Sequence, residues 1–87
     1  MTKIYIYCLF DGNGTFMGVY SSLKAIHRDA LKLANKGPFD VVVNIGGVQQ
    51  KPTMKLLWNT FKGVCDVQVE YRCGLSTAKI IKTKLKE

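Results

Sequence analysis

Apolar and polar residues alternate with different periods along this chain, and each change of period marks an element. Lys3 to Phe10 is apolar at both alternating positions, with Tyr5, Tyr7 and Leu9 on one side and Ile4, Ile6, Cys8 and Phe10 on the other. A strand of this kind is covered on both faces, or on one of them by a partner subunit. Asp11-Gly12-Asn13-Gly14 supplies a turn, and Thr15 to Tyr20 returns as the second arm of a hairpin. Gly18 within that arm marks a bulge or a close approach.

From Ser21 the period becomes helical. Ser21 and Ser22 are candidate N-caps, and Gly37-Pro38 is the stop. Leu23, Ile26, Ala30, Leu33 and Ala34 form the inner face, with His27 at its edge and Leu31 outside it. Phe39 to Ile45 reads as the next strand, Gly46-Gly47 ends it, and Val48 to Lys51 is loop or frayed strand. Pro52 or Thr53 opens a second helix, with Met54, Leu57, Trp58 and Phe61 inward and Gly63 as its stop. Val64 to Cys73 alternates: Cys65, Val67, Val69, Tyr71 and Cys73 share one face, and Asp66, Gln68, Glu70 and Arg72 the other. After Gly74, Leu75 and Ile80 are placed as a hydrophobic staple around Ser76. They predict a last helix with Ala78, Ile81 and Leu85 inside.

The expected fold is therefore α/β (α+β), in the order ββαβαβα. It is a single four-stranded mixed sheet packed by two to three helices, in one domain spanning 1–87. The 47% hydrophobic content suits a globular chain. The apolar N-terminal run is too short for a signal peptide or membrane span, which leads to a cytoplasmic expectation. Cys65 and Cys73 on one strand would stand about 26 Å apart, too far for a bridge. Three cysteines without metal-ligand spacing fit free thiols in a reducing compartment, with neither metal nor cofactor.

Charge changes the picture most. Thirteen basic residues against six acidic ones give +7. Residues 1–50 contribute +2 from five basic and three acidic residues, and residues 51–87 contribute +5 from eight and three. Such a balance points to nucleic acid first, then to an acidic protein surface. Lys24, Arg28, Lys32 and Lys36 are spaced by four and stack into one row along the first helix. Lys79, Lys82 and Lys86 cover the outside of the expected last helix. Lysine outnumbers arginine eleven to two, which favours general phosphate attraction over base-specific contacts.

Catalytic chemistry finds no foothold. The single histidine, His27, has no nucleophile or carboxylate singled out beside it and reads as structural. Gly46-Gly47 lacks the rest of a P-loop or dinucleotide fingerprint and reads as a tight turn. Trp58 stands at core spacing. The strand tyrosines, Tyr5, Tyr7, Tyr20 and Tyr71, divide between packing and an open, base-stacking sheet face. Leu31, beside a basic row, and Tyr5 and Tyr7, on a strand apolar on both faces, are the candidate self-association residues of a homodimer.

The run GVYSSLKAIHRDAL, passing from strand directly into helix, resembles a module of small phage accessory proteins over Asp11 to Gly37. In size, charge and expected fold the chain is similar to the RNA-binding phage inhibitors of the ToxIN toxin–antitoxin defence (the TifA type). The resemblance implies a non-enzymatic, RNA-binding dimer that restrains a toxin endoribonuclease in the host cytoplasm. The alternative from charge alone is a basic inhibitor that covers an acidic host protein without nucleic acid.

Overall fold

The computed structural model describes residues 5–37, 39–62 and 67–84. Three hairpins alternate with two helices in the order ββαββαββ. The first hairpin joins β1 (Tyr5–Asp11) to β2 (Phe16–Tyr20). Asp11 shapes its turn, with Oδ1 accepting the backbone N–H of Asn13 at 2.9 Å and of Thr15 at 2.8 Å. Leu9 faces Gly18 but Phe10 faces Phe16, so Met17 is the extra residue of a bulge beside Gly18.

Helix α1 (Leu23–Ala34) starts at Ser22, whose Oγ accepts the Ala25 N–H at 3.3 Å. It buries Leu23, Ile26, His27, Ala30 and Ala34. Strands β3 (Val42–Ile45) and β4 (Val48–Gln50) follow, joined by Gly46 and Gly47 at φ +59° and +87°. Two successive positive φ values are what a type I′ hairpin turn requires, so these glycines are turn chemistry. Helix α2 (Met54–Phe61) is capped by Thr53, whose Oγ1 accepts the Leu56 N–H at 3.2 Å, and it buries Leu57 and Phe61. The last hairpin pairs β5 (Gln68–Cys73) with β6 (Ser76–Lys84).

All pairings are antiparallel, and the strands lie in the order β2-β1-β6-β5-β3-β4. One face of this sheet presents Tyr7, Leu9, Val43, Val69, Tyr71, Ala78 and Ile80 to the buried sides of α1 and α2. Sheet and helices thus form two layers with the core between them. Nothing among the described residues covers the other face.

This corrects the expected four-stranded mixed sheet on two counts. Val48–Gln50, expected as loop or frayed strand, is a fifth paired strand. More importantly, Ser76–Lys84 is the longest strand, hydrogen-bonded to β1 on one side and β5 on the other, and not a helix. Its Ala and Lys residues favour helix, but Thr77, Ile80, Ile81 and Thr83 are β-branched and fit a pleated surface better. Pairing on both sides outweighs local propensity here. The supposed staple residue Leu75 is instead the fully exposed second residue of a two-residue turn that Gly74 opens at φ +62°. Phe39 lies before β3 and is exposed. Pro38, Gly63, Cys65, Asp66, Leu85 and Lys86, which also entered the sequence-based expectations, lie outside the described residues. No helix among the described residues is long and apolar enough to cross a membrane.

Candidate nucleic-acid interface

The helix layer turns two basic faces to solvent. On α1, Lys24, Arg28 and Lys32 are exposed, and Lys36 stands exposed just beyond the C-cap Asn35. On α2, Lys55 and Lys62 are exposed, with Lys51 exposed ahead of the cap. Positions 51, 55, 58 and 62 fall on one side of a helix at about 100° per residue. Between these lysines stands Trp58, 61% exposed. This corrects the expectation of a core tryptophan: α2 buries Leu57 and Phe61, and Trp58 lies one residue too far round the helix to join them.

Carboxylates are scarce in this layer. α2 contains none, and α1 contains only Asp29. Asp29 is already engaged, accepting the Tyr20 hydroxyl at 2.6 Å and the Arg28 Nε–H at 3.2 Å. The Tyr20 hydrogen bond, then Arg28, holds this carboxyl below its usual range, and the same bond raises the Tyr20 phenol. Arg28 is thereby partly neutralised. The ion pairs are Arg28–Asp29 and Arg72–Glu70, so the lysines of both helices form none with a carboxylate among the described residues.

The other expected phosphate contacts separate. Lys79 lies on the uncovered sheet face, opposite Glu70 in the ladder and away from the helices. Lys82 points into the helix side of the sheet and is 8% exposed. Its Nζ donates to the Phe61 carbonyl at 2.6 Å and sits 4.8 Å from the Tyr5 ring centroid. An ammonium spent on the last turn of α2 is a helix cap and not a phosphate ligand. Lys82 is therefore corrected from surface to interior. Alternation on a strand sends Lys79 and Lys82 to opposite faces, where a helix would have kept them together.

Two of the three expected self-association residues also turn inward. Tyr7 is buried edge-to-face against Phe61, with ring centroids 5.6 Å apart. Leu31 is half-buried against the core. Tyr5 keeps some exposure beneath Lys82.

His27 is 8% exposed and its Nδ1 lies 2.6 Å from the Tyr71 hydroxyl. Burial lowers the imidazole pKa and raises that of the Tyr71 phenol. Both groups are therefore neutral and share one hydrogen bond, which the Nε2-protonated tautomer of His27 accepts at Nδ1 from the Tyr71 O–H. The pair ties α1 to β5. Folding depresses the His27 pKa, so the unfolded chain binds the proton more readily. Stability is thus fully present above the ordinary histidine value of about 6.5 and is lost as pH falls from there through the folded value. The unfolding free energy from denaturant titration should drop between pH 7.5 and 5, by up to about 1.4 kcal/mol per pH unit. In His27→Asn, whose side-chain amide can accept or donate toward the Tyr71 hydroxyl without titrating, that slope should flatten; an unchanged slope would assign the pH dependence to another group.

Among the described residues no three His, Cys, Asp or Glu side chains converge on a metal-sized site. Cys8 is a free, half-buried thiol, and Cys73 is buried with its Sγ donating to the Phe39 carbonyl at 3.0 Å. No family model, curated protein or solved structure matches the chain.

Proposed function

We propose that this is a non-enzymatic nucleic-acid-binding protein, with single-stranded RNA as its first ligand to test. The helix layer receives the strand. Lys24, Arg28, Lys32, Lys36, Lys51, Lys55 and Lys62 attract its phosphates, and Trp58 stacks on a base. The observation that supports this most directly is an exposed tryptophan inside a cluster of lysines that form no ion pair among the described residues. A bare lysine row is common on soluble proteins and gives only general phosphate attraction. A large exposed aromatic amid it adds a surface every unpaired base can use, worth about 1–3 kcal/mol per stacked base. A duplex keeps its bases inside and offers Trp58 no such partner, which favours single strands. Restraint of a toxin endoribonuclease in the host cytoplasm, as the phage resemblance implies, would be one use of such a surface.

Trp58 is the chain's one tryptophan, so it reports its own contact. Titration with a short single-stranded RNA should quench its fluorescence, and Trp58→Ala should weaken binding about tenfold while Trp58→Phe keeps most of the affinity. If about five phosphates are engaged, binding should fall about 100-fold between 50 and 200 mM salt. Saturable binding with unaltered Trp58 emission would remove the stacking contact. An absence of binding at low salt would overturn the proposed function itself, and capture of an acidic protein in its place would favour the blocking inhibitor.

A further inference from the structure

The uncovered face of the sheet is apolar over half its width. Phe16, Met17 and Val19 on β2 are 54%, 49% and 55% exposed. Val19 lies beside Cys8, Cys8 beside Ile81, and Phe10 beside Phe16, whose ring centroid is 5.7 Å away. An antiparallel sheet with one solvated face normally carries polar residues there. β1, apolar on both sides, has a partner on only one of them. Toward β5 the same face becomes polar, with Lys79, Glu70 and Arg72 in neighbouring positions and Arg72 Nε 3.5 Å from Glu70 Oε1.

We infer that this face binds a second copy of the chain, sheet against sheet, with the two helix layers outermost. Charge selects the arrangement. The chain carries +7, and its helix layer presents lysines that form no ion pair among the described residues, so two copies meeting through the helices would oppose like charges. The β2–β1 half of the open face presents no charged side chain and can approach its own copy without that cost. Face-to-face contact also holds the two basic layers as far apart as the dimer allows. On the polar side, a twofold axis makes each contact occur twice, so Glu70 of one copy can meet Lys79 or Arg72 of the other.

The size is adequate. Six strands about 4.8 Å apart, roughly six residues long at ~3.3 Å per residue, give a flat footprint on the order of 600 Å². That is near the ~800 Å² per partner of a standard stable interface. Aligned sheets pack about 10 Å apart, which leaves room for Phe10, Phe16, Met17, Val19 and Ile81 from each side. The dimer would rest on these residues and not on Leu31 and Tyr7, which the core consumes.

The test is sedimentation equilibrium of the full chain over a micromolar concentration range, with folding checked by circular dichroism. The wild type should reach twice its 9.7 kDa mass. Val19→Lys is at an exposed position and should keep the fold while weakening association at least tenfold. Ile81→Lys, two strands from the β2 edge, separates face contact from edge pairing. If Ile81→Lys keeps its fold and still dimerises as the wild type does, face-to-face packing is overturned. A wild type that stays monomeric throughout the range overturns the inference outright. Alkylation of Cys8 provides a readout independent of both variants: its rate should fall as the dimer forms, and a rate independent of concentration in a dimerising protein counts against this face. RNA binding by a monomeric Val19→Lys would leave the proposed function standing.

Discussion

The double charge reversal Lys32→Glu/Lys55→Glu should lower affinity for single-stranded RNA about 100-fold at 50 mM salt, with the fold unchanged. Lys32 and Lys55 lie on the exposed sides of α1 and α2, one on each helix, and neither forms an ion pair with a carboxylate among the described residues, Lys32 acting on Asp29 only through its longer-range charge. Each substitution removes one phosphate contact and adds a repulsive charge. Removing two contacts alone should flatten the slope of log K against log salt by about 1.4, at roughly 0.7 per phosphate for single strands. The two effects must appear together. Weaker binding with an unchanged salt slope would mean that the substitutions disturbed something other than phosphate contact. Arg28 is the poorer choice, because Asp29 already takes part of its charge. Wild-type affinity in the double variant at low salt would place the interface elsewhere, with Lys79 and Arg72 on the open sheet face as the next cations to reverse.

The same lysine pattern explains what could be read from the residues and what could not. α1 was legible because its cap, its apolar period and its basic row agree: Ser22 caps, Leu23, Ile26, Ala30 and Ala34 face the core, and a row spaced by four lies opposite. β5 was legible from its strict alternation, and Gly46-Gly47 from turn chemistry. Ser76 to Lys84 misled because Ala78, Lys79, Lys82 and Lys84 favour helix and a serine stands where a cap would. The counter-signal was present in Gly74-Leu75, a two-residue hairpin loop, followed by four β-branched residues. What no local pattern carries is that β6 pairs with β1, across nearly the whole chain. That long-range pairing decides the sheet, and it scatters the C-terminal lysines between an open face and the core. Trp58 failed for a different reason. Five large apolar residues on an eight-residue helix exceed what one buried face can accept, and the surrounding 51, 55 and 62 lysine stripe marks which of them stays outside.

Lys82→Met should destabilise the protein by about 2 kcal/mol while leaving RNA affinity unchanged. The aliphatic stem of Lys82 is already buried on the helix side of β6, and methionine replaces much of it. What disappears is the ammonium, which donates at 2.6 Å to the carbonyl of Phe61. That carbonyl is among the last of α2 and has no partner within the helix, so it would lose a charge-assisted hydrogen bond of about 1.5–3 kcal/mol and a favourable charge at the helix C-terminus. Contact with the Tyr5 ring adds about 0.5–1 kcal/mol, the part that Tyr5→Leu should remove alone. Methionine also escapes the cost of holding an ammonium in a site only 8% exposed, which keeps the net near 2 kcal/mol and below the sum of these contacts. For a domain of this size the loss should lower the melting temperature by roughly 8–16 °C. A lysine placed by strand alternation between a helix end and an aromatic ring predicts this pairing of outcomes, large in stability and absent in binding. A lysine on an exposed helix, as the sequence suggested, predicts the reverse.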